Sequence, residues 1–182
     1  FHGGFSTGHG YLREPQSIQS YAALAAIAIQ SNQNDQHGGQ SIPNFDYGMA
    51  EGIAKSFRKA YRNELNEIVE DFLDMDDCSE AVKAAVADAE RIVGETAKLE
   101  LSTQLDKAVA NNLNKSYGIS SDTAERLINR ARKRAEQKTD RDTYQAMEGF
   151  VHNLNTMHSR AGAQTPFSSI NYGTDTSPEG RM

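Results

Sequence analysis

An apolar stripe running from residue 53 to residue 72 constrains this chain more than any other feature. Ile53, Phe57, Ala60, Tyr61, Leu65, Ile68, Val69 and Phe72 recur at intervals of three or four. That is the period of one helix face, so the spacing predicts a helix over about 45–73. The opposite side is charged, so the stripe needs other helices to cover it. The rest of the chain offers them. Ile18, Tyr21, Ala22, Ala25 and Ile29 predict a helix from about Pro15 to Ser31, with Pro15 suited to its first turn. Val82, Val86, Ala89, Val93 and Ala97 form a further stripe that Leu101, Leu105 and Ala108 extend. It reads as one helix from near Ser79 until Gly118 stops it. Ser120 or Ser121 then caps a helix whose apolar side is Leu127, Ile128, Ala131 and Ala135. Met147, Phe150, Val151, Leu154 and Met157 continue the pattern, which leaves open whether one helix or two cover 121–158. Residues 165–172, TPFSSINY, are the only clear strand candidate. The expectation is a mainly α chain.

With 182 residues the chain suits one domain or a large piece of one. Phe1 opens it, and it stops at Met182, just after Ser177, Pro178 and Glu179, which read as a helix start. The expectation is an internal fragment of a longer protein. No apolar run is long enough to span a bilayer, and no signal-peptide pattern appears. The single cysteine excludes an internal disulfide and favours a reducing compartment, here expected to be the cytoplasm. A formal charge of −6 argues against a general nucleic-acid binder, but leaves room for a site taking one nucleotide.

Three stretches concentrate polar chemistry. The opening GGFSTGHGYLREP places glycines and Arg13 before a helix, where exposed backbone N–H groups attract phosphate. A tight surface turn is the plainer alternative, since no Lys-Ser/Thr follows the glycines, and residues 1–14 read as a loop. Residues 30–47, QSNQNDQHGGQSIPNFDY, crowd amides around Gly38 and Gly39. Amides donate and accept, so such a loop can read a base or a ribose. A loop held by its own hydrogen bonds is the plainer alternative. Residues 152–177 run from a helix end into the strand candidate. His152 and His158 are six apart and share no helix face, which argues against a metal pair. Arg160 has a capping role as its simpler explanation.

Cys78 is the sole thiol and lies in the acidic run DMDDCSE, where a thiolate is disfavoured. The acidic run from Glu64 to Glu80 has a counterpart in the basic cluster Arg126, Arg130, Arg132, Lys133 and Arg134. The two could pair, within the chain or across a dimer, or be scattered surface charge.

The three polar stretches carry a family resemblance. GGFSTGHGYLREPQSI, SYAALAAIAIQSNQNDQHGGQSIPNFDYGMA and HNLNTMHSRAGAQTPFSSINYGTDTSPEGRM resemble anaerobic (class III, glycyl-radical) ribonucleoside-triphosphate reductases. The family-like segments are residues 1–50 and 152–182. The helical section 51–142 carries no motif of its own. The resemblance implies that the chain is part of a ten-stranded α/β barrel of the glycyl-radical type. It implies conversion of ribonucleoside triphosphates to 2′-deoxyribonucleoside triphosphates for DNA synthesis, by thiyl-radical chemistry with formate as reductant. It further implies a glycyl radical, a structural zinc, ATP and dNTP effectors, a homodimer, and an activating enzyme that uses S-adenosylmethionine and an iron–sulfur cluster.

The catalytic cysteines, the radical glycine and the zinc ligands are expected outside these residues, so this piece alone should be inert. Expected substrate- or nucleotide-binding residues are Asn34, Asp35, His37, Gln40, His158, Arg160, Gln164 and Ser168. Arg13, Gln16, Lys55 and Arg58 are expected at the effector site, on charge and helix placement alone. No metal ligand is expected. Segments 30–47 and 158–176 are expected to approach each other as one wall of a nucleotide-handling region. Two rival readings are a helical oligomerisation module and a fragment of another glycyl-radical enzyme, such as a pyruvate formate-lyase relative.

Overall fold

A computed structural model describes residues 5–6, 11–35, 38–75, 78–156 and 167–182, with the backbone alone at residues 5, 6, 11, 12, 34 and 35. In chain order the elements are β1 (Phe5–Ser6), β2 (Tyr11–Leu12), α1 (Ile18–Asp35), β3 (Gln40–Ile42), α2 (Phe45–Leu73), α3 (Ser79–Val93), α4 (Thr103–Tyr117), α5 (Ser121–Thr156) and β4 (Ser168–Ile170). The chain divides into two compact units, one of residues 1–56 and 140–182, the other of residues 57–139.

The second unit is built from helices alone among its described residues. Its core is aliphatic: Leu65, Val69, Val82, Val86, Leu105, Val109, Leu113 and Ile128 are all buried, joined by Phe57 and Tyr61. Phe57 and Tyr61 stack with ring centroids 6.2 Å apart. The single helix expected from Ser79 to Gly118 is in fact two. Gly94 takes a left-handed φ of 76° and its N–H closes the end of α3 on Glu90 O. Ser102 then caps α4, accepting from the Leu105 N–H, and Gly118 ends α4 at φ 67°. The apolar stripe looked continuous because each helix buries residues at similar spacing. Leu101 falls in the break and is exposed, as Phe72 is near the end of α2.

Two carboxylates organise the polar side of this unit. Buried Glu90 receives two hydrogen bonds from Arg58 at 3.0 and 2.7 Å, one from Arg62, and the Ala97 N–H at 3.1 Å. Burial works against its charge, but these donors outweigh it and hold the carboxyl below its usual pKa. Asp106 receives the Arg132 guanidinium at 3.0 Å, and Arg132 lies 5.4 Å from the Tyr61 ring centre. Of the expected pairing between acidic run and basic cluster, Arg134 meets Glu64 at 3.7 Å, while Arg132 serves Asp106 instead. Cys78 is buried in this core, with its N–H donated to Glu70 at 2.9 Å.

The first unit combines α1, the start of α2, the end of α5 and all four strands. α1 begins three residues after Pro15 and runs to Asp35, four residues beyond the expected end. Ile18, Tyr21, Ala22, Ala25, Ala26 and Ile29 are buried along it. Buried Gln30 and Gln33 carry the same face into the polar sequence, and Gln30 donates to Asn153 O at 3.3 Å. Those side-chain bonds let the helix continue where composition suggested a loop. Gly52 of α2 permits close approach to α1, since a Cβ there would lie 2.8 Å from Cδ2 of Tyr21. α5 settles the open question as far as Thr156, being one helix of 36 residues, while residues 157 and 158 lie outside the described residues. β1 and β2 form a short antiparallel pair, so the glycine-rich opening is not wholly loop.

Candidate functional site

Two of the three polar stretches meet at a strand, β3, that sequence reading did not anticipate. β3 pairs in parallel with β4, with Gln40 beside Ser168, Ser41 beside Ser169 and Ile42 beside Ile170. Segments 30–47 and 158–176 therefore lie side by side where they are described. Alternation along the strands gives the pair two faces. Gln40 is buried, Ser168, Ile42 and Ile170 are half-buried, and Ser41 and Ser169 are exposed together. Gln40 Oε1 accepts a hydrogen bond from Asn32 Nδ2, tying β3 back to α1. Gly38, at φ 103°, turns the chain into β3. Gly39 packs close to Phe167, whose carbonyl accepts the Gln40 N–H at 2.9 Å.

Beyond the strands, backbone bonds carry the alignment into α2. Asn171 donates to Ile42 O at 3.1 Å, and its own carbonyl accepts the Phe45 N–H at 2.8 Å. Then comes the most concentrated polar contact of the unit. Asp46 Oδ2 accepts the N–H groups of Gly173, Thr174 and Asp175 at 2.8, 2.8 and 2.7 Å. Its Oδ1 accepts the Tyr47 N–H at 3.0 Å. Gly173, at φ 96°, allows three successive N–H groups to converge in this way. The N–H of Asp175 foremost, with those of Tyr47, Thr174 and Gly173, outweighs burial and holds the Asp46 carboxyl below its usual pKa. Asp175 accepts the Ser177 N–H at 2.8 Å, and Ser177 Oγ accepts that of Gly180 at 3.0 Å. The expected helix start at Ser177 is thus a capped turn.

Beside this clasp lies a cavity of about 430 Å³ with a mostly apolar lining that includes Met49, Ile53 and Met147. Phe45 and Phe150 face it with ring centroids 5.0 Å apart. The Thr143 hydroxyl is buried there without a hydrogen-bond partner among the described residues.

A family model described as anaerobic ribonucleoside-triphosphate reductase matches residues 1–182. The chain belongs to that family. No curated protein matches it. Membership makes the parent activity that of an oxidoreductase acting on ribonucleotides under anaerobic conditions. No described helix is long and apolar enough to cross a membrane.

Within this reductase chain the expected site residues divide. Gln40 and Ser168 lie together on one face of the strand pair. Asn34 and Asp35 fall in the last turn of α1, where the backbone alone is described. His37, His158, Arg160 and Gln164 lie outside the described residues. The expected effector residues also part company. Lys55 Nζ donates to Glu14 Oε1 at 2.6 Å, to Pro15 O at 3.2 Å and to the Tyr21 hydroxyl at 3.1 Å. Burial works against this ammonium, but Glu14 and Tyr21 outweigh it and raise its pKa. Gln16 donates to Glu14 O at 3.2 Å, next to exposed Arg13. Arg58 belongs to the other unit, where Glu90 holds it. Lys55 and Arg58 thus each serve a carboxylate of the chain itself. Among the described residues no three metal-binding side chains cluster.

Sequence reading missed Asp46, Ser41 and Ser169. The signal for Asp46 was present: an acidic residue opening a helix, and a Gly-Thr-Asp turn after a strand, a sequence able to gather N–H groups. Nothing in one sequence links two such features separated by well over a hundred residues.

Proposed function

We propose that this chain forms one wall of the nucleotide-handling region in the catalytic polypeptide of an anaerobic reductase. That polypeptide would belong to a ten-stranded glycyl-radical barrel and make 2′-deoxyribonucleoside triphosphates for DNA synthesis. The carrying observation is the parallel pairing of β3 with β4, which aligns two amide- and hydroxyl-rich segments of the family sequence. Ser41 and Ser169 present adjacent hydroxyls outward from that pair. Hydroxyls donate and accept, which suits the mixed edge of a nucleoside.

This chain's share of the reaction is to bind and orient. Thiyl-radical chemistry, with formate supplying the electrons and a radical S-adenosylmethionine enzyme as activator, belongs to the rest of the reading. Cys78 does not fit the thiyl role, because its residue is packed inside the helical unit. No three described side chains fit a zinc site either. A cytoplasmic homodimer controlled by ATP and dNTP effectors completes the proposal.

The test is the double variant Ser41→Ala/Ser169→Ala in the reductase polypeptide that carries this chain. It removes two exposed hydroxyls and leaves the backbone pairing intact. The affinity for ribonucleoside triphosphate should fall about fivefold, at unchanged thermal stability. Unchanged affinity refutes the wall.

A further inference from the structure

We propose that Asp46 is a positioning residue for nucleotide handling: its carboxylate gathers the N–H groups of Gly173, Thr174 and Asp175 and thereby fixes the segment that carries β4 against β3. This inference rests on the reading of the β3–β4 pair as a nucleotide wall.

The geometry is specific. Three consecutive N–H groups converging on one oxygen form a concave cluster of partial positive charge, a shape that elsewhere receives external anions. Here a side chain of the same chain fills it. Asp46 is only 7% exposed, so its charge is committed to that contact. Four donors reach the carboxylate, and hydrogen bonds to an ionised acceptor are the stronger class. Asp46 also stands in the first turn of α2, where the helix dipole favours negative charge.

The clasp acts on the wall through a short path. Gly173 is three residues from Ile170, the last residue of β4, and Asp46 is four residues from Ile42, the last residue of β3. Between them run the Asn171–Ile42 and Phe45–Asn171 backbone bonds. Tyr47 adds its hydroxyl to Thr174 O at 3.4 Å. Asp46 therefore closes a ladder that begins at the Gln40–Ser168 pair. Parallel strands of three residues hold little register by themselves. Without the clasp, Ser168 and Ser169 would lose their fixed place beside Gln40 and Ser41.

The experiment compares Asp46→Asn with Asp46→Ala in the reductase polypeptide. Asparagine keeps the size and one acceptor oxygen, while alanine removes both. The KM for ribonucleoside triphosphate should rise about threefold in Asp46→Asn and about tenfold in Asp46→Ala, with kcat per folded enzyme changed less than twofold. Amide hydrogen exchange at 173–175 should quicken in the same order. Gly173→Ala reaches the same contact from the other side. A Cβ there meets nothing within 4 Å, so the variant disturbs only the turn conformation, and its KM should rise likewise. It stands in should either Asp46 variant fail to fold. A fall in kcat with KM unchanged in the variants that fold overturns the positioning role and leaves Asp46 merely structural. The serine double variant separates the two ideas. If it weakens nucleotide binding while the Asp46 and Gly173 variants leave KM unchanged, the wall stands and the positioning role falls. If none of them alters nucleotide handling, both fall.

Discussion

The two units solve the same problem, keeping helices in place, with different materials. The unit of residues 57–139 uses aliphatic side chains at helical spacing and, among its described residues, buries only Glu90 and Arg132 of its charged side chains. The unit of residues 1–56 and 140–182 buries Gln30, Gln33, Gln40 and Asp46 as well as its apolar face. Hydrophobic burial is non-directional, so the first material tolerates many sequences of the right pattern. Hydrogen-bonded polar groups require particular partners at particular places. The stretches of sequence that resemble the reductase family fall on the second material.

The comparison breaks most readily at the aliphatic core. Leu113→Ala should destabilise the helical unit by about 3 kcal/mol, because a fully buried side chain leaves a cavity. Chemical denaturation followed by circular dichroism measures it. Nucleotide affinity of the reductase polypeptide should stay the same in the folded variant, and a change would mean that this unit is not mere support.

Glu90→Gln should cost about 2.5 kcal/mol, since it leaves the Arg58 and Arg62 guanidiniums short of their counter-charge. Acid tests the same contact. Glu90 and Asp46 both have folded-state pKa values below their ordinary ones of 4.5 and 3.8. Their stabilisation is therefore complete above those ordinary values and is lost as pH falls through the lowered ones. Glu90→Gln should flatten the loss of stability below about pH 4.5, a slope that denaturation at a series of pH values would show.

Gly52→Ala probes the other unit and should cost about 2 kcal/mol. The added methyl meets the root of the Tyr21 side chain, which has little room to turn away. A neutral outcome in thermal unfolding would show that α1 and α2 approach less closely than described. The smallest effect belongs to the exposed Asp88–Arg91 pair at 3.0 Å, where Asp88→Ala should shift stability by less than about 0.5 kcal/mol.

Much of the helical architecture was legible because periodicity is a local property. The bounds of α2 follow directly from its stripe, and Gly118 marked the end of α4. The break at Gly94 was legible too, but Leu101 and Leu105 kept the apolar period running across it. β3 was not legible. Gln40, Ser41 and Ile42 have no strand pattern of their own and become a strand by pairing with β4. Lys55 and Arg58 were expected at the effector site on charge and helix placement alone, and one sequence does not reveal that Glu14 and Glu90 stand opposite them. The Asp46 contact was hidden for the same reason.

The chain order of the two units also bears on how the protein is made. The whole of residues 57–139 is inserted between the halves of the other unit. Asp46 and its partners are separated by 127 to 129 positions. On a ribosome adding roughly 5–20 residues per second, α1 and β3 emerge about ten seconds before β4 exists to pair with them. The inserted helices can pack on one another during that interval, whereas β3 must wait for β4 to pair with it. The Asp46 contact therefore closes only after residues 173–175 have been made, well after the inserted helices.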